Sequence, residues 1–207
     1  MSRDSYIELT LPGSPGSPLF FLFHGTGGDE RQLVPLGREL LPDAAIVSPR
    51  GDVSEFGAAR FFRRTGEGVY DMDDLALRTK KMAAFVRAHR EAKPSAVIGL
   101  GYSNGANILA SVVFAEPELF DAAVLMHPLI PFEPKIEGDL AGKRVLITAG
   151  RRDPICPPNL TSRLEAYLHA DGADVTVEWH EGGHELRPNE IDAARRFLSA
   201  YAVTAEA

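Results

Sequence analysis

Apolar residues are distributed along this chain in two alternating forms. Short, largely apolar runs at Phe20 to His24, Ala44 to Ser48, Ala96 to Tyr102, Ala122 to His127, Arg144 to Ala149 and Asp174 to His180 read as strands. Longer amphipathic stretches between them read as helices: Glu30 to Leu41, Asp71 to Arg90, Asn104 to Glu116, Leu160 to Asp171 and Asn189 to Ala202. In the longest, Leu75, Met82, Phe85 and Val86 stand near helical spacing. Tyr6 to Leu11 adds an edge strand. Apolar strands alternating with helices predict a mostly parallel sheet covered on both faces, a three-layer α/β/α sandwich. Asp29, Asp71 and Asn159 stand where helix N-caps belong.

Two connections lack regular patterning, Pro49 to Val69 and Pro128 to Lys143. Loops longer than about 12–15 residues are usually functional or disordered. These are rich in aromatics and proline, so ordered loops over a site are expected. The 207 residues make one domain, 1–207, the default and suffice for a buried core. A net charge of -7, from 29 acidic and 22 basic side chains, argues against a broad nucleic-acid-binding surface. The single cysteine, Cys156, excludes an internal disulfide and a cysteine-built metal cage. Leu19 to Phe23 is far short of the roughly 18 apolar residues of a membrane span, so no stable membrane insertion is expected. Met1 to Gly16 is polar, and a cytoplasmic protein is the simplest expectation.

The chemistry is concentrated in the loops that follow strands, where ligands bind in open α/β sheets. Gly101-Tyr102-Ser103-Asn104-Gly105 is a G-x-S-x-G match, directly after one strand and before one helix. That context is the nucleophile elbow, a sharp turn that lifts a serine hydroxyl above the sheet at a helix N-terminus. A serine needs a base, and the base needs an orienting acid. In this architecture the chain order is serine, acid, histidine. His184, after Gly182-Gly183 in the loop past the last strand, is the expected base, with His180 its rival. Asp153, in the turn after Arg144 to Ala149, is the expected acid. His24-Gly25-Thr26-Gly27-Gly28-Asp29 follows the first strong strand and reads as an oxyanion loop, with main-chain donors at Thr26 and Asn104. The competing reading, a phosphate cradle, lacks both glycine fingerprints of nucleotide sites.

Taken together these stretches resemble the α/β-hydrolase fold, and specifically its small bacterial phospholipase/carboxylesterase branch, related to the acyl-protein thioesterases. Arg50-Gly51-Asp52, Arg60-Phe61-Phe62-Arg63-Arg64, His127-Pro128-Leu129 and Gly150 to Ile155 also carry the resemblance, which runs from Phe20 to Phe197. The Arg-Phe-Phe-Arg-Arg stretch is similar to a subgroup associated with quinone and aromatic detoxification. Position 104 departs from the thioesterases, which commonly carry Gln there. The resemblance implies a serine hydrolase of carboxylic esters, with thioesters or lysophospholipids as further substrate classes, working without a metal or other cofactor. Related enzymes often form homodimers. Loop position makes Phe61, Phe62, Leu129, Ile130 and Ile155 candidates to hold a small acyl or aryl group. Arg60, Arg63 and Arg64 are candidates for a substrate anion. Cys156 is the alternative nucleophile, as in dienelactone hydrolases, but it lies outside any elbow. A ligand-binding protein on the same fold is the alternative function.

Overall fold

The computed structural model describes residues 6–202. In chain order its elements are β1 (Glu8–Leu11), β2 (Leu19–Phe23), α1 (Val34–Leu40), β3 (Ala45–Pro49), β4 (Val53–Glu55), β5 (Ala58–Arg60), β6 (Arg64–Gly66), β7 (Val69–Tyr70), α2 (Met72–Arg90), β8 (Val97–Tyr102), α3 (Asn104–Ala115), β9 (Ala122–Met126), β10 (Arg144–Gly150), α4 (Pro158–Ala170), β11 (Asp174–His180) and α5 (Pro188–Leu198). Short 3₁₀ turns at Pro117–Leu119 and Ser199–Tyr201 follow α3 and α5. Seven strands form one sheet in the order β1-β3-β2-β8-β9-β10-β11. β1 runs antiparallel at the edge, and the other pairings are parallel.

The unbroken apolar runs are explained by burial on both faces. Side chains alternate across a strand. Phe20 and Leu22 therefore join Ile46, Ile98 and Val124 beneath α1 and α5. Phe21 and Phe23 join Phe85, Leu109, Phe120 and Leu164 beneath α2, α3 and α4. The order of the sheet reverses between β2 and β8: from β2 the chain first steps outward to β3, then returns across to β8. A crevice opens at such a switch point, past the carboxyl ends of the two strands, and the glycine-rich loop and the elbow flank it. Among the described residues, no helix is long and apolar enough to cross a membrane.

Several boundaries differ from the sequence expectation. α1 begins at Val34 rather than Glu30. Residues 29–33 form turns instead, in which Asp29 Oδ1 accepts the Arg31 N–H and Gln32 Oε1 reaches back to the Gly25 N–H. Asp29 thus caps a turn and not a helix. α4 and α5 each start on a proline, with Pro157 and Arg187 as their N-caps, so Asn159 caps nothing. Asp71 does cap α2, accepting the Asp74 N–H at 3.0 Å. The stretch from Pro49 to Val69 is not irregular: it folds into the hairpins β4–β5 and β6–β7. The first turns on Phe56 and Gly57, both at positive φ. Such a two-residue turn normally announces itself as Asn-Gly or Asp-Gly, and phenylalanine in the first place hides it. Pro128 to Lys143 lacks helix and strand, as expected.

Phe21 is fully buried, with ring contacts to Phe23, Phe85, His89 and Phe120. Phe21→Ala is expected to cost about 3–5 kcal/mol, read as the loss of unfolding free energy in urea. A cost under 1 kcal/mol would contradict this packing.

Candidate active site

β8 ends at Tyr102 and α3 starts at Asn104, so Ser103 alone makes the turn. Its φ is 53°, a conformation costing a non-glycine residue on the order of 1–3 kcal/mol. The start of α3 crowds the ends of β2 and β8. A Cβ on Gly105 would lie 2.0 Å from the Phe23 carbonyl oxygen, and one on Gly101 would lie 2.5 Å from the Gly105 carbonyl. The motif's glycines are what let the helix seat there, and the seated helix holds Ser103 in its strained turn.

His184 lies between β11 and α5, where its carbonyl accepts the Tyr102 hydroxyl at 2.7 Å. Its Nε2 is 2.9 Å from Ser103 Oγ, and its Nδ1 is 2.7 Å from Asp153 Oδ2. Asp153 is buried in the turn after β10. Its Oδ1 accepts the Ile155 and Cys156 N–H groups at 2.8 and 2.9 Å. Burial alone would raise its pKa, but hydrogen bonds from His127 and His184 outweigh burial and hold the carboxyl well below the usual carboxylate range. An ionised Asp153 requires the proton on His184 Nδ1, which turns the Nε2 lone pair toward the Ser103 hydroxyl. Of the two histidines weighed from the sequence, His184 meets Ser103; His180 is buried behind the site, its Nδ1 accepting the Gly182 N–H at 2.9 Å.

The loop after β2 is tied at several points. His24 Nδ1–H donates to the Gly25 carbonyl at 2.7 Å, and its Nε2 accepts the Gly51 N–H at 2.9 Å. Gly27 N–H reaches the Ala59 carbonyl at 2.9 Å, and Arg60 donates to Thr26 Oγ1 at 2.7 Å. The Thr26 N–H has no hydrogen-bond partner among the described residues. Asn104 opens α3, so its N–H has no intrahelical carbonyl. Its side chain ties the elbow to the hairpin region, with Oδ1 accepting the Phe61 N–H at 2.8 Å.

Thr26, Ser103, Asn104 and His184 share the wall of a cavity of about 320 Å³. Arg64, Leu129 and Ile155, expected at the pocket, also line it, together with Arg60, Glu67, Tyr70, Asn107 and Cys156. Three expectations fail. Phe61, Phe62 and Ile130 are fully or almost fully buried in the core. Phe61 packs on Phe23 and His24, and Phe62 on Tyr70, so both anchor the hairpin loops rather than face a substrate. Arg64 is held by Glu55 and Glu67, and Arg63 pairs outward with Asp71 and Asp74. The Cys156 thiol donates to the His127 carbonyl at 3.2 Å, and burial pushes its pKa up. It stays a thiol.

A model of the dienelactone hydrolase family matches residues 58–190. The protein MhqD of Bacillus subtilis (strain 168) is 41% identical over 182 residues, 86% of this chain and 91% of its own length. The chain belongs to the dienelactone hydrolase family. A carboxylesterase of Bacillus cereus superposes with a TM-score of 0.91 at 37% identity, covering 96% of this chain and 95% of that one. Atu2452 of Agrobacterium tumefaciens str. C58, a protein of unknown function, superposes at 0.93 with 63% identity over 98% of this chain and 100% of that one. The α/β-hydrolase resemblance therefore holds, and this dienelactone hydrolase family member is an ester hydrolase.

Behind the hydrolase's Asp153 lies a buried cluster that no local sequence pattern marks. His127 Nδ1 is 2.8 Å from Asp153 Oδ2, and its Nε2 is 3.0 Å from Glu190 Oε1. Glu190 also accepts the Thr148 hydroxyl at 2.6 Å and the Arg187 N–H at 2.6 Å, and its Oε2 lies 3.2 Å from His180 Nε2. From the sequence, His127 is a strand end within a stretch that carries the family resemblance, and Glu190 is part of an amphipathic helix. The available signal was a carboxylate on the core side of α5, a costly placement unless it is paired. Asn107 and Tyr70 are unmarked in the same way. Asn107 Nδ2 donates to the Tyr70 hydroxyl, which donates to the Leu129 carbonyl, and so props up the cavity's rear wall.

Burial lowers the pKa of His127, but hydrogen bonds to Asp153 and Glu190 reverse this and raise it to about 9. A folded value above the unfolded value of about 6.5 stabilises the fold fully below pH 6.5, and that contribution is lost as pH rises through 9. Unfolding free energy measured from pH 6.5 to 9.5 is expected to fall by on the order of 3 kcal/mol. A flat profile would mean that His127 is not charged in the fold. Gly105→Ala is expected to destabilise the chain by about 3 kcal/mol or more, since the neighbouring atom is backbone and cannot swing away. Thermal unfolding of the variant checks it, and an unchanged midpoint would refute the crowding at the elbow.

Proposed function

We propose that the enzyme hydrolyses short-chain carboxylic esters through an acyl-enzyme on Ser103. The observation that carries this reading is the unbroken hydrogen-bond chain from Ser103 Oγ through His184 to the ionised Asp153. His184 Nε2 takes the hydroxyl proton as Ser103 Oγ bonds to the substrate carbonyl carbon. The carbonyl oxygen becomes an oxyanion, held by the N–H groups of Thr26 and Asn104. The intermediate collapses, the C–O bond to the alcohol breaks, and His184 returns its proton to the leaving oxygen. Water then attacks the acyl carbon, giving its proton to His184. The bond to Ser103 Oγ breaks, the acid leaves, and the serine recovers its proton. Asp153 stays ionised throughout, holding the imidazole's orientation and stabilising its charged form.

The size of the cavity supports the short acyl group. About 320 Å³ is at the small end for ligand sites. Its apolar lining is short, from Leu129, Ile155, Cys156 and the rings of Tyr70 and Tyr102, and Arg60, Arg64 and Glu67 share the wall. A lysophospholipid chain finds no matching apolar length there. A short thioester fits as well as a short ester, since only the acyl part needs the cavity.

Turnover of p-nitrophenyl esters is expected to peak between acetate and butyrate and to be lost toward palmitate. Ser103→Ala is expected to lower kcat by about 10⁴–10⁶. Residual activity near wild type in the variant would overturn the mechanism. A maximum at long chains would overturn the substrate class. A folded protein that turns over no ester but gains thermal stability from one would favour the ligand-binding alternative.

A further inference from the structure

The reaction above uses Ser103, His184 and Asp153, and leaves His127, His180 and Glu190 unused behind them. All three are buried. Their hydrogen bonds settle where the protons are. Asp153 accepts four donors: the Ile155 and Cys156 amides on Oδ1, and His184 and His127 on Oδ2. Glu190 also faces four: the Thr148 hydroxyl and His127 at Oε1, and the Arg187 amide and His180 at Oε2. Four is the full lone-pair capacity of an ionised carboxylate, and a protonated one would set its own hydrogen against a donor. His180 Nδ1 is already an acceptor for Gly182, so its proton is on Nε2, pointing at Glu190. His127 faces a carboxylate with each ring nitrogen, so it needs both protons and is an imidazolium. The same bonds argue against a metal held by His127, His180 and Glu190. Such an ion would need the His180 Nε2 lone pair, and moving that proton to Nδ1 would set it against the Gly182 N–H.

A second observation points the same way. His127 has φ 51°, directly before Pro128. The residue before a proline is pushed toward extended backbone, so this conformation is costly, and such strain persists where the surroundings over-determine it. Ser103 and His127 are thus two strained non-glycine residues at the ends of adjacent strands, β8 and β9. The His127 ring lies 5.1 Å from the His184 ring, centroid to centroid.

We propose that His127, held as an imidazolium by Glu190, is a positioning residue for ester hydrolysis: it fixes the Asp153 carboxylate and, by its charge, opposes a second proton on His184. The proposal rests on the reading of Ser103, His184 and Asp153 given above. The buried Asp153 charge by itself attracts a proton to His184, and a protonated His184 is no base. A second cation on the same carboxylate oxygen offsets that attraction and keeps His184 available as the base. The formal charge of the cluster is -1 at rest, from Asp153, Glu190 and His127, and reaches zero when His184 takes the serine proton. Three other titratable groups face His127: His180 on β11, its Nε2 3.5 Å from His127 Nε2 with its proton directed to Glu190; Tyr102, 6.0 Å away on β8 and pushed up to about 12 by burial; and Cys156, whose thiol bonds the His127 carbonyl.

The test has two arms. Nitrogen-15 NMR of the histidine rings in the wild-type chain is expected to show both His127 nitrogens protonated at pH 7. A neutral His127 ring at that pH would overturn the proposal, without recourse to any variant. The second arm is the pH profile of kcat/KM for p-nitrophenyl acetate, in wild type, Glu190→Gln and His127→Gln. The acid limb is expected to move up by about one pH unit in His127→Gln, which makes the cluster one charge more negative, and by less in Glu190→Gln, which removes the Glu190 charge together with the cation it holds. Folded variants that lose activity evenly at every pH, with the limb in place, would reduce His127 to a structural role and overturn the proposal. If both variants fail to fold, the NMR arm decides alone. A failure of the Ser103 reading is separate: it would show as activity surviving Ser103→Ala, whatever His127 does.

Discussion

A carboxylate cut off from water must receive all its hydrogen bonds from the chain, because an unpaired buried charge is among the most costly things a fold can contain. Asp153 meets that demand with four donors drawn from three places: its own turn, the end of β9, and the loop before α5. The same contacts that solvate it place the imidazole of His184 and join β9, β10 and β11 at their carboxyl ends. Fold and site therefore share their bonds here. Any distortion that spoiled the geometry at His184 would also leave a buried anion short of partners.

The second constraint is crowding at the sheet's switch point. α3 can reach the end of β2 only because residues 101 and 105 have no side chain. Its close seat puts the Ser103 hydroxyl beside the loop that holds Thr26. The hairpins of the stretch from Pro49 onward clamp that loop from above, through the Ala59 carbonyl, the Arg60 guanidinium and the Gly51 amide. The two buried phenylalanines of this stretch keep the clamp from lifting. Strained turn, glycine-rich loop and hairpins are held by one another.

The architecture was legible in the sequence because a parallel sheet buried on both faces leaves a plain mark, runs such as Leu19 to Phe23 set between amphipathic helices. Ser103, Asp153 and His184 were legible because each follows a strand in the order the fold requires. The residues that escaped act across the chain and have no local pattern. Glu190 looks like any acid in the first turn of a helix until its neighbours His127 and Thr148, more than 40 residues away, are known. Phe61 and Phe62 were misplaced for the opposite reason: aromatic residues in a loop near a site invite a substrate role, while their burial depends on hairpins hidden by the unusual Phe56-Gly57 turn. α1 was read too long because side-chain turns at Asp29 and Gln32 imitate a helix start.

Among the described residues the helix that carries Glu190 is the last α-helix, and it lies against the sheet face opposite α3. Chain synthesis delivers Ser103, His127 and Asp153 well before this helix, and His184 only just ahead of it. Until the helix docks, His127 has one counter-charge instead of two, and the interior behind Asp153 is open on one side. The pairing behind Asp153 is thus complete only with α5 in place, since that helix brings the Glu190 carboxylate to His127 and His180. Without that helix, Asp153 and His184 keep their own contacts but lose the second carboxylate behind them.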